Sequence, residues 1–293
     1  MTSQKMDSRE LGLVLAQQLL GVDDLHYGLW DETLELKLGN AAIAQQRYAE
    51  LLLSTLPAAS PGPVRVLDVG CGTGHLIAQL LRQGYLADGV SPSQSLSQLV
   101  RKRLDAFPNN QTRLFECKFE DVPVEQIQHD YDVVLFSESF QYIELERALQ
   151  LLPQLLKPDG LLVICDFFKT EHHGDGGPGD RSFGGGHDWR KFIARMKDTS
   201  FTLIRDEDIT RRVSPNIELV SQVLEHKVKP VATTLQRYFS GNYPRLSWLA
   251  GKLFRKKLEK MNYKYFSGHR SQATFERYKT YHLLVYRLTQ AQR

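Results

Sequence analysis

The chain has 293 residues, 42% hydrophobic and 24% charged, with a formal net charge of +3, a composition that suits one elaborated globular domain or a domain with a cap. Three scattered cysteines exclude a disulfide framework and no uninterrupted apolar run is long enough to cross a bilayer, so the expectation is a reducing, cytoplasmic setting. The near-neutral balance hides an asymmetry: residues 1–226 carry 22 Lys and Arg against 32 Asp and Glu, whereas residues 227–293 carry 15 against 2. That points to an acidic partner for the tail, or to attraction between tail and body.

The first ten residues are polar and charged, unlike a secretory leader, and the run Leu11 to Leu20, broken by Gln17 and Gln18, reads as an amphipathic helix. The run from Val64 to Gly74 (Val-Arg-Val-Leu-Asp-Val-Gly-Cys-Gly-Thr-Gly) then joins an apolar strand to a helix through three alternate glycines. Such glycines let the backbone turn sharply and approach a ligand, at a helix start that presents free N–H groups. The dinucleotide fingerprint G-x-G-x-x-G would need glycine where His75 stands, and the Gly-Lys-Ser/Thr ending of a phosphate-binding loop is absent. Asp68 at the strand end suits a ligand with an ammonium and ribose hydroxyls, which S-adenosylmethionine (SAM) has; the alternative is an ordinary strand-turn-helix with tight glycine packing.

The apolar stripe Leu76, Ile77, Leu80, Leu81 predicts a helix stopped at Gly84, followed by a strand over Leu86 to Val90. The alternation continues with a helix over Ser93 to Leu104, a strand over Thr112 to Phe119, another over Tyr131 to Ser137 and a helix over Leu145 to Leu156. The turn Lys157-Pro158-Asp159-Gly160 leads to a fifth strand over Leu161 to Phe168. Five such alternations predict an α/β, doubly wound sheet. The Gly-rich stretch 169–187 reads as a mobile loop, Asp188 to Met196 as a helix, and Phe201 to Thr210 and Thr280 to Thr289 as the last strands. About seventy basic and aromatic residues between those strands are too long for a plain loop and are expected to form a helical cap.

The glycine motif, the strand Tyr131-Asp132-Val133-Val134-Leu135-Phe136-Ser137 and the run Leu156-Lys157-Pro158-Asp159-Gly160-Leu161-Leu162, in this order, resemble the class I SAM-dependent methyltransferases over residues 25–289. With His26-Tyr27-Gly28-Leu29-Trp30-Asp31 and the late insertion, the chain is similar to the small-molecule group that includes tocopherol, phosphoethanolamine and sarcosine methyltransferases. The resemblance implies a Rossmann-like seven-stranded sheet of order 3-2-1-4-5-7-6, last strand antiparallel. It also implies N-terminal helices closing over the cofactor (1–60), a SAM-binding core (61–210), a basic, aromatic helical cap (211–279) and a final core strand (280–293). It places the methionine end of SAM at Asp68, Gly70, Gly72 and Ser137, with Tyr27 closing over it. Ser91 stands where many members carry an acidic ribose ligand, and a neutral hydroxyl makes a weaker bond. Glu120 is the expected adenine contact and Phe119 its wall, a solvated turn at Glu120 and Asp121 being the alternative.

Several relatives carry a histidine just after strand four, but this chain reads Ser139-Phe140-Gln141-Tyr142, and neither Gln nor neutral Tyr takes up a proton readily. His173 or His187 in the Gly-rich loop is the candidate base for a protonated acceptor, and Tyr27 completes the catalytic candidates. The same loop offers His172, His173, Asp175, Asp180 and His187 to a divalent metal, in no compact zinc spacing, or is simply a polar lid; no metal is expected. Tyr238, Phe239, Tyr243, Trp248, Tyr263, Tyr265 and Phe266 would line an apolar acceptor pocket or form the cap's core. Trp248, Leu249, Leu253, Phe254, Leu258 and Met261, with Lys252, Arg255, Lys256, Lys257 and Lys260 largely opposite, make a basic amphipathic helix suited to an anionic membrane or an acidic carrier, or else a solvated cap face. The expected activity is SAM-dependent methyl transfer to a small, lipophilic or aromatic molecule by a cytoplasmic enzyme, peripheral on a membrane if the basic helix docks there. The alternatives are an RNA methyltransferase and a methyltransferase-fold binding protein without turnover; no RNA-binding module appears, and nucleic acid is not the expected partner.

Overall fold

The computed structural model describes residues 26–59 and 62–289; the amphipathic helix expected over Leu11 to Leu20 lies outside them. Seven strands form one sheet of order β3-β2-β1-β4-β5-β7-β6. They are β1 (Arg65–Val69), β2 (Leu86–Val90), β3 (Leu114–Phe115), β4 (Tyr131–Ser137), β5 (Leu156–Lys169), β6 (Phe201–Asp208) and β7 (Lys279–Leu288). β1 to β5 pair in parallel, and β7 runs antiparallel to both β5 and β6, the order and direction the family resemblance implied.

Successive strand residues face opposite layers. Val134, Phe136 and Ile164 pack with α4 (Leu145–Leu155) and α5 (Trp189–Met196), while Val133, Leu135 and Val163 pack with α1 (Ala41–Leu53) and α2 (His75–Arg82). Helix starts coincide with capping side chains: the Ser93 hydroxyl accepts from Leu96 N ahead of α3 (Gln94–Leu104), Glu144 from Glu146 and Arg147 N, and Asp188 from Lys191 N.

Two strands differ from expectation. β3 is only two residues long, not Thr112 to Phe119, because it is a sheet edge pairing with β2 alone. Before it, the Arg113 N–H donates to the Asp88 carboxylate; after it, Phe119 turns into the core. β5 starts five residues early: Tyr131 pairs with Leu156 and Val133 with Leu161, so the Lys157 to Gly160 turn bulges from within the strand, with Asp159 at φ 60°.

The loop expected to be mobile is anchored. Asp175 accepts from Arg277 at 2.7 Å and from the Tyr278 hydroxyl at 2.9 Å, Ser182 O accepts from Arg270, and Lys279 Nζ donates to Gly185 O at 2.6 Å. The insertion is helical, as expected: α6 (Thr210–Val213), α7 (Pro215–Val223), α8 (Lys229–Asn242), α9 (Pro244–Tyr265) and α10 (Gln272–Tyr278). α7 runs into α8 through a widened turn over Leu224–Val228, and Pro230, which has no N–H to bond the carbonyl four residues back, accounts for it. α8 and α9, joined at Tyr243, do not cover the core: neither α8 nor the described side chains of α9 include a buried residue.

Candidate functional site

The C-terminal ends of β1, β2, β4 and β5 and the start of β7 meet at one sheet edge, where ligands bind in open α/β folds. The glycine turn begins there. Gly70 has φ 78°, its N–H and that of Cys71 both donate to Val90 O, and a Cβ at Gly70 would overlap the Ser139 side chain. The Ser139 hydroxyl in turn donates to Val69 O, tying the end of β4 to the turn. Gly74, at φ 79°, would press a Cβ onto Val100 at 3.1 Å. A glycine backbone is therefore obligatory at both ends of this turn, for conformation and for space.

The expected cofactor positions fall along this edge. Asp68 and Ser91, each 2% exposed, stand on the adjacent strands β1 and just after β2. Gly72 has φ 54° and lies between them in the turn. Phe119 is buried edge-on to Phe136, with ring centres 5.2 Å apart. The Glu120 carboxylate, half-buried, accepts from Glu144 N at 3.1 Å, which ties it to the start of α4. Ser137 Oγ lies 3.2 Å from the Tyr48 hydroxyl.

Beyond the turn stands a cluster that sequence reasoning missed. Glu138, at φ 55°, follows β4; its carboxylate accepts from Tyr27 N at 2.6 Å and the Tyr281 hydroxyl at 3.0 Å, and Tyr281 reaches Tyr48 at 3.0 Å. Burial pushes the Glu138 carboxyl up to about 8 against the pull of those donors, and the neighbouring Asp166 charge adds to the rise. Asp166, on β5, accepts from Gln141 N, Gln141 Nε2 and Phe167 N, yet burial still pushes it up to about 7. Lys279, fully buried at the start of β7, is pushed down to about 7, first by burial and then by Lys169. Burial also holds the phenols of Tyr27, Tyr48 and Tyr281 far above their ordinary range, so they stay neutral hydrogen-bonding groups. Tyr27 was already a candidate; of the others only Asp166, a charge inside the apolar run from Val163 to Phe168, leaves a signal along the chain.

Aromatic rings adjoin these groups. Phe275 meets Tyr27 at 6.1 Å, Phe167 at 6.1 Å and Phe183 at 5.2 Å, and Tyr281 lies 6.1 Å from Tyr27 and 6.4 Å from Phe167. Arg270 lies over Phe183 at 4.8 Å and over Tyr265 at 5.3 Å. This box of packed rings belongs to the core, with Phe275 and Tyr281 1% and 0% exposed, and the cap does not form the expected pocket: Tyr238, Phe239, Tyr243 and Trp248 are 48–67% exposed and form neither a core nor an enclosed lining. The reason is that α8 and α9 extend away from the body instead of folding over it.

Two of the loop histidines sit beside polar groups, and His173 Nδ1 makes no hydrogen bond. His187 Nε2 lies 3.0 Å from Phe140 O with its ring edge-on to Phe140, and His173 Nδ1 lies 3.5 Å from Asp180, with burial lowering its proton affinity. Among the described residues no three His, Cys, Asp or Glu side chains converge as metal ligands; Asp175 is engaged by Arg277 instead.

The fold and this edge define the class of methyltransferases built on a Rossmann-like sheet and served by SAM. The chain belongs to the family described as "Methyltransferase domain", whose model matches residues 41–204. It is 34% identical over 127 residues to the human mitochondrial ubiquinone biosynthesis O-methyltransferase, covering 41% of this chain and 34% of that protein. The chain thus spans about a third to a half of the first curated relatives it matches. Among solved structures, the geranyl diphosphate C-methyltransferase of Streptomyces coelicolor A3(2) is similar with TM-score 0.63 at 17% identity, over 93% of this chain and 92% of that one. A chain described as a sarcosine dimethylglycine methyltransferase from Galdieria sulphuraria gives 0.68 at 14% identity, over 94% and 97%. The residues present suit the cofactor of this class: three glycines at positive φ turn the backbone between β1 and α2, with a buried carboxylate and a buried hydroxyl on neighbouring strand ends.

Proposed function

We propose that the protein transfers a methyl group from SAM to a small, lipophilic or aromatic acceptor. The observation that carries this reading is the aromatic box of Tyr27, Phe167, Phe183, Phe275 and Tyr281 at the same sheet edge as the glycine cradle. Bound there, SAM supplies an electrophilic methyl group on a sulfonium. Asp68, Gly70, Gly72 and Ser137 hold its methionine end, Ser91 the ribose, and Phe119 and Glu120 the adenine. Tyr27, whose N–H is fixed by Glu138, closes over the site as a neutral phenol.

Methyl transfer needs alignment of the acceptor and exclusion of water before anything else. The apolar rings provide both for a flat or hydrocarbon acceptor, and they offer a sugar few hydrogen-bonding groups. Where the acceptor atom carries a proton, Glu138 is the group of the cluster that takes it once pH rises toward 8 and its own proton is released, with His173 and His187 as the loop's candidates for that role. Single variants of the three separate the roles, since only the base moves the pH profile of kcat.

The decisive experiment incubates the protein with methyl-labelled SAM and cell extract and asks which fraction takes up label. Label in the organic-soluble fraction supports the reading. Label in RNA or in aqueous metabolites refutes the lipophilic acceptor, and SAM binding by calorimetry without any transfer refutes turnover.

A further inference from the structure

α8 and α9 form an arm that leaves the body after α7 and returns beside it, where the Ser221 hydroxyl on α7 donates to Arg270 O at 2.9 Å. With 14 and 22 residues the two helices are about 21 Å and about 33 Å long. A segment this long that covered a core would bury its apolar face; here the large apolar side chains stay about half exposed or more. Leu235 and Phe239 on α8 and Leu249, Leu253 and Phe254 on α9 are 46–74% exposed. Their spacing is helical, with Val231, Leu235, Tyr238 and Phe239 on one face of α8 and Leu246, Leu249 and Leu253 on one face of α9.

Charge identifies what meets this face. Residues 225–265 hold ten Lys and Arg and only two acidic residues, Glu225 and Glu259. Those two pair with Lys229 and Arg255, leaving seven basic residues with described side chains and no ion pair to a carboxylate of the arm. Arg245, Lys252, Arg255 and Lys256 lie about 100° or less apart around α9 on the flank away from Leu246 and Leu253. Trp248 sits on that flank, with the Lys252 ammonium 5.3 Å from its ring centre. An arm of a second copy would meet this one as like charge against like charge. Several of the body's carboxylates are engaged with its own cations, as in Asp88 with Arg65 and Arg113, Glu146 with Arg195 and Glu207 with Arg212. An apolar stripe edged by cations, with Lys257 and Lys260 on its own side of α9 where long stems let their ammonium groups reach outward, matches a surface that is anionic outside and hydrocarbon beneath.

We infer that the α8–α9 arm docks the protein on anionic phospholipid bilayers, lying in the headgroup plane with Leu249, Leu253, Leu235 and Phe239 in the acyl boundary. Neither helix crosses the membrane, and among the described residues no helix is long and apolar enough to do so. The root of the arm bears on the site: Tyr265, at the end of α9, packs under Arg270, which lies over Phe183 of the aromatic box. Docking would therefore set the box close to the membrane surface, so that a lipophilic acceptor reaches it without crossing water. That last step rests on the proposed acceptor class; docking itself does not.

The test uses the full chain with vesicles of phosphatidylcholine, with and without phosphatidylglycerol, read by flotation and by sedimentation. The expected result is at least about tenfold stronger binding to the anionic vesicles, lost in high salt. Leu249→Ser with Leu253→Ser, both on exposed positions, should abolish flotation while leaving the circular dichroism spectrum and SAM binding unchanged. Equal affinity for neutral vesicles, no flotation, or a concentration-dependent dimer that the double variant dissociates would each overturn the inference. If vesicles bind but label does not enter the organic fraction, docking stands and the acceptor reading fails; label without vesicle binding does the reverse.

Discussion

Glu138→Gln should make the protein more stable at neutral pH while making it a poorer catalyst. In the folded chain the Glu138 carboxyl titrates at about 8 instead of the ordinary 4.5. Between those values the folded state holds a proton that the unfolded state has released, so this group's stabilising contribution is complete below about 4.5 and is lost as pH rises through 8. At about 1.4 kcal/mol per pKa unit, the loss accumulated by pH 7 is about 3 kcal/mol, an upper figure because Glu138 keeps some surface toward the site. Glutamine mimics the protonated form: its Oε1 accepts from Tyr27 N and the Tyr281 hydroxyl as the native oxygen does. Urea unfolding from about pH 5 to about pH 8 should show the wild type weakening with pH and the variant weakening less, with the gap widening to about 2–3 kcal/mol at pH 7. Asp166, raised to about 7, leaves a residual slope in both. Parallel pH profiles for wild type and variant, or a variant less stable at pH 7, would refute the account of Glu138 as a strained buried acid.

The remaining expectations concern the turn, the buried amine and the far end of the sheet. Gly70→Ala forces a left-handed alanine against Ser139, which should cost about 1–2 kcal/mol from the backbone alone and more from the overlap; calorimetry should find SAM binding lost, and unchanged affinity would remove the cradle argument. Lys279, depressed to about 7, gives the opposite sign to Glu138: its contribution is present above about 10.5 and is lost as pH falls through 7. Lys279→Met should therefore flatten the rise in thermal midpoint that the wild type shows between pH 7 and pH 10, and an unaltered rise would count against it. Asp88 is fully buried and binds Arg65, Arg113 and the Tyr131 hydroxyl. Asp88→Ala leaves those partners unmet, so denaturant unfolding should show a loss of about 3–5 kcal/mol; a loss under 1 kcal/mol would mean that solvent reaches them.

Features carried by local chemistry were legible along the chain. β2, β4 and the caps Ser93 and Asp188 fall where the residues put them, because a period of two and a side chain that can accept from the next turn are properties of a few adjacent residues. The edge strand β3 was overread because its shortness follows from the distant Asp88, whose carboxylate takes the Arg113 N–H. Glu138 was not legible, since a glutamate after a strand looks like any exposed loop acid until Tyr27, Tyr48 and Tyr281 close around it.

The sequence by itself determined the order of strands and helices, the glycine turn and its cofactor class, and the concentration of positive charge after residue 226. Each is encoded in contiguous residues through periodicity, backbone freedom or simple charge. Only the tertiary structure decided that residues 27, 48, 138, 166, 279 and 281 share one corner, where burial raises the carboxyls of Glu138 and Asp166, lowers the amine of Lys279 and keeps the three phenols neutral. It also decided the fate of the aromatic insertion. A helical stripe says that a face is apolar, but what covers that face depends on where its helix is carried, and here the arm carries it away from the core.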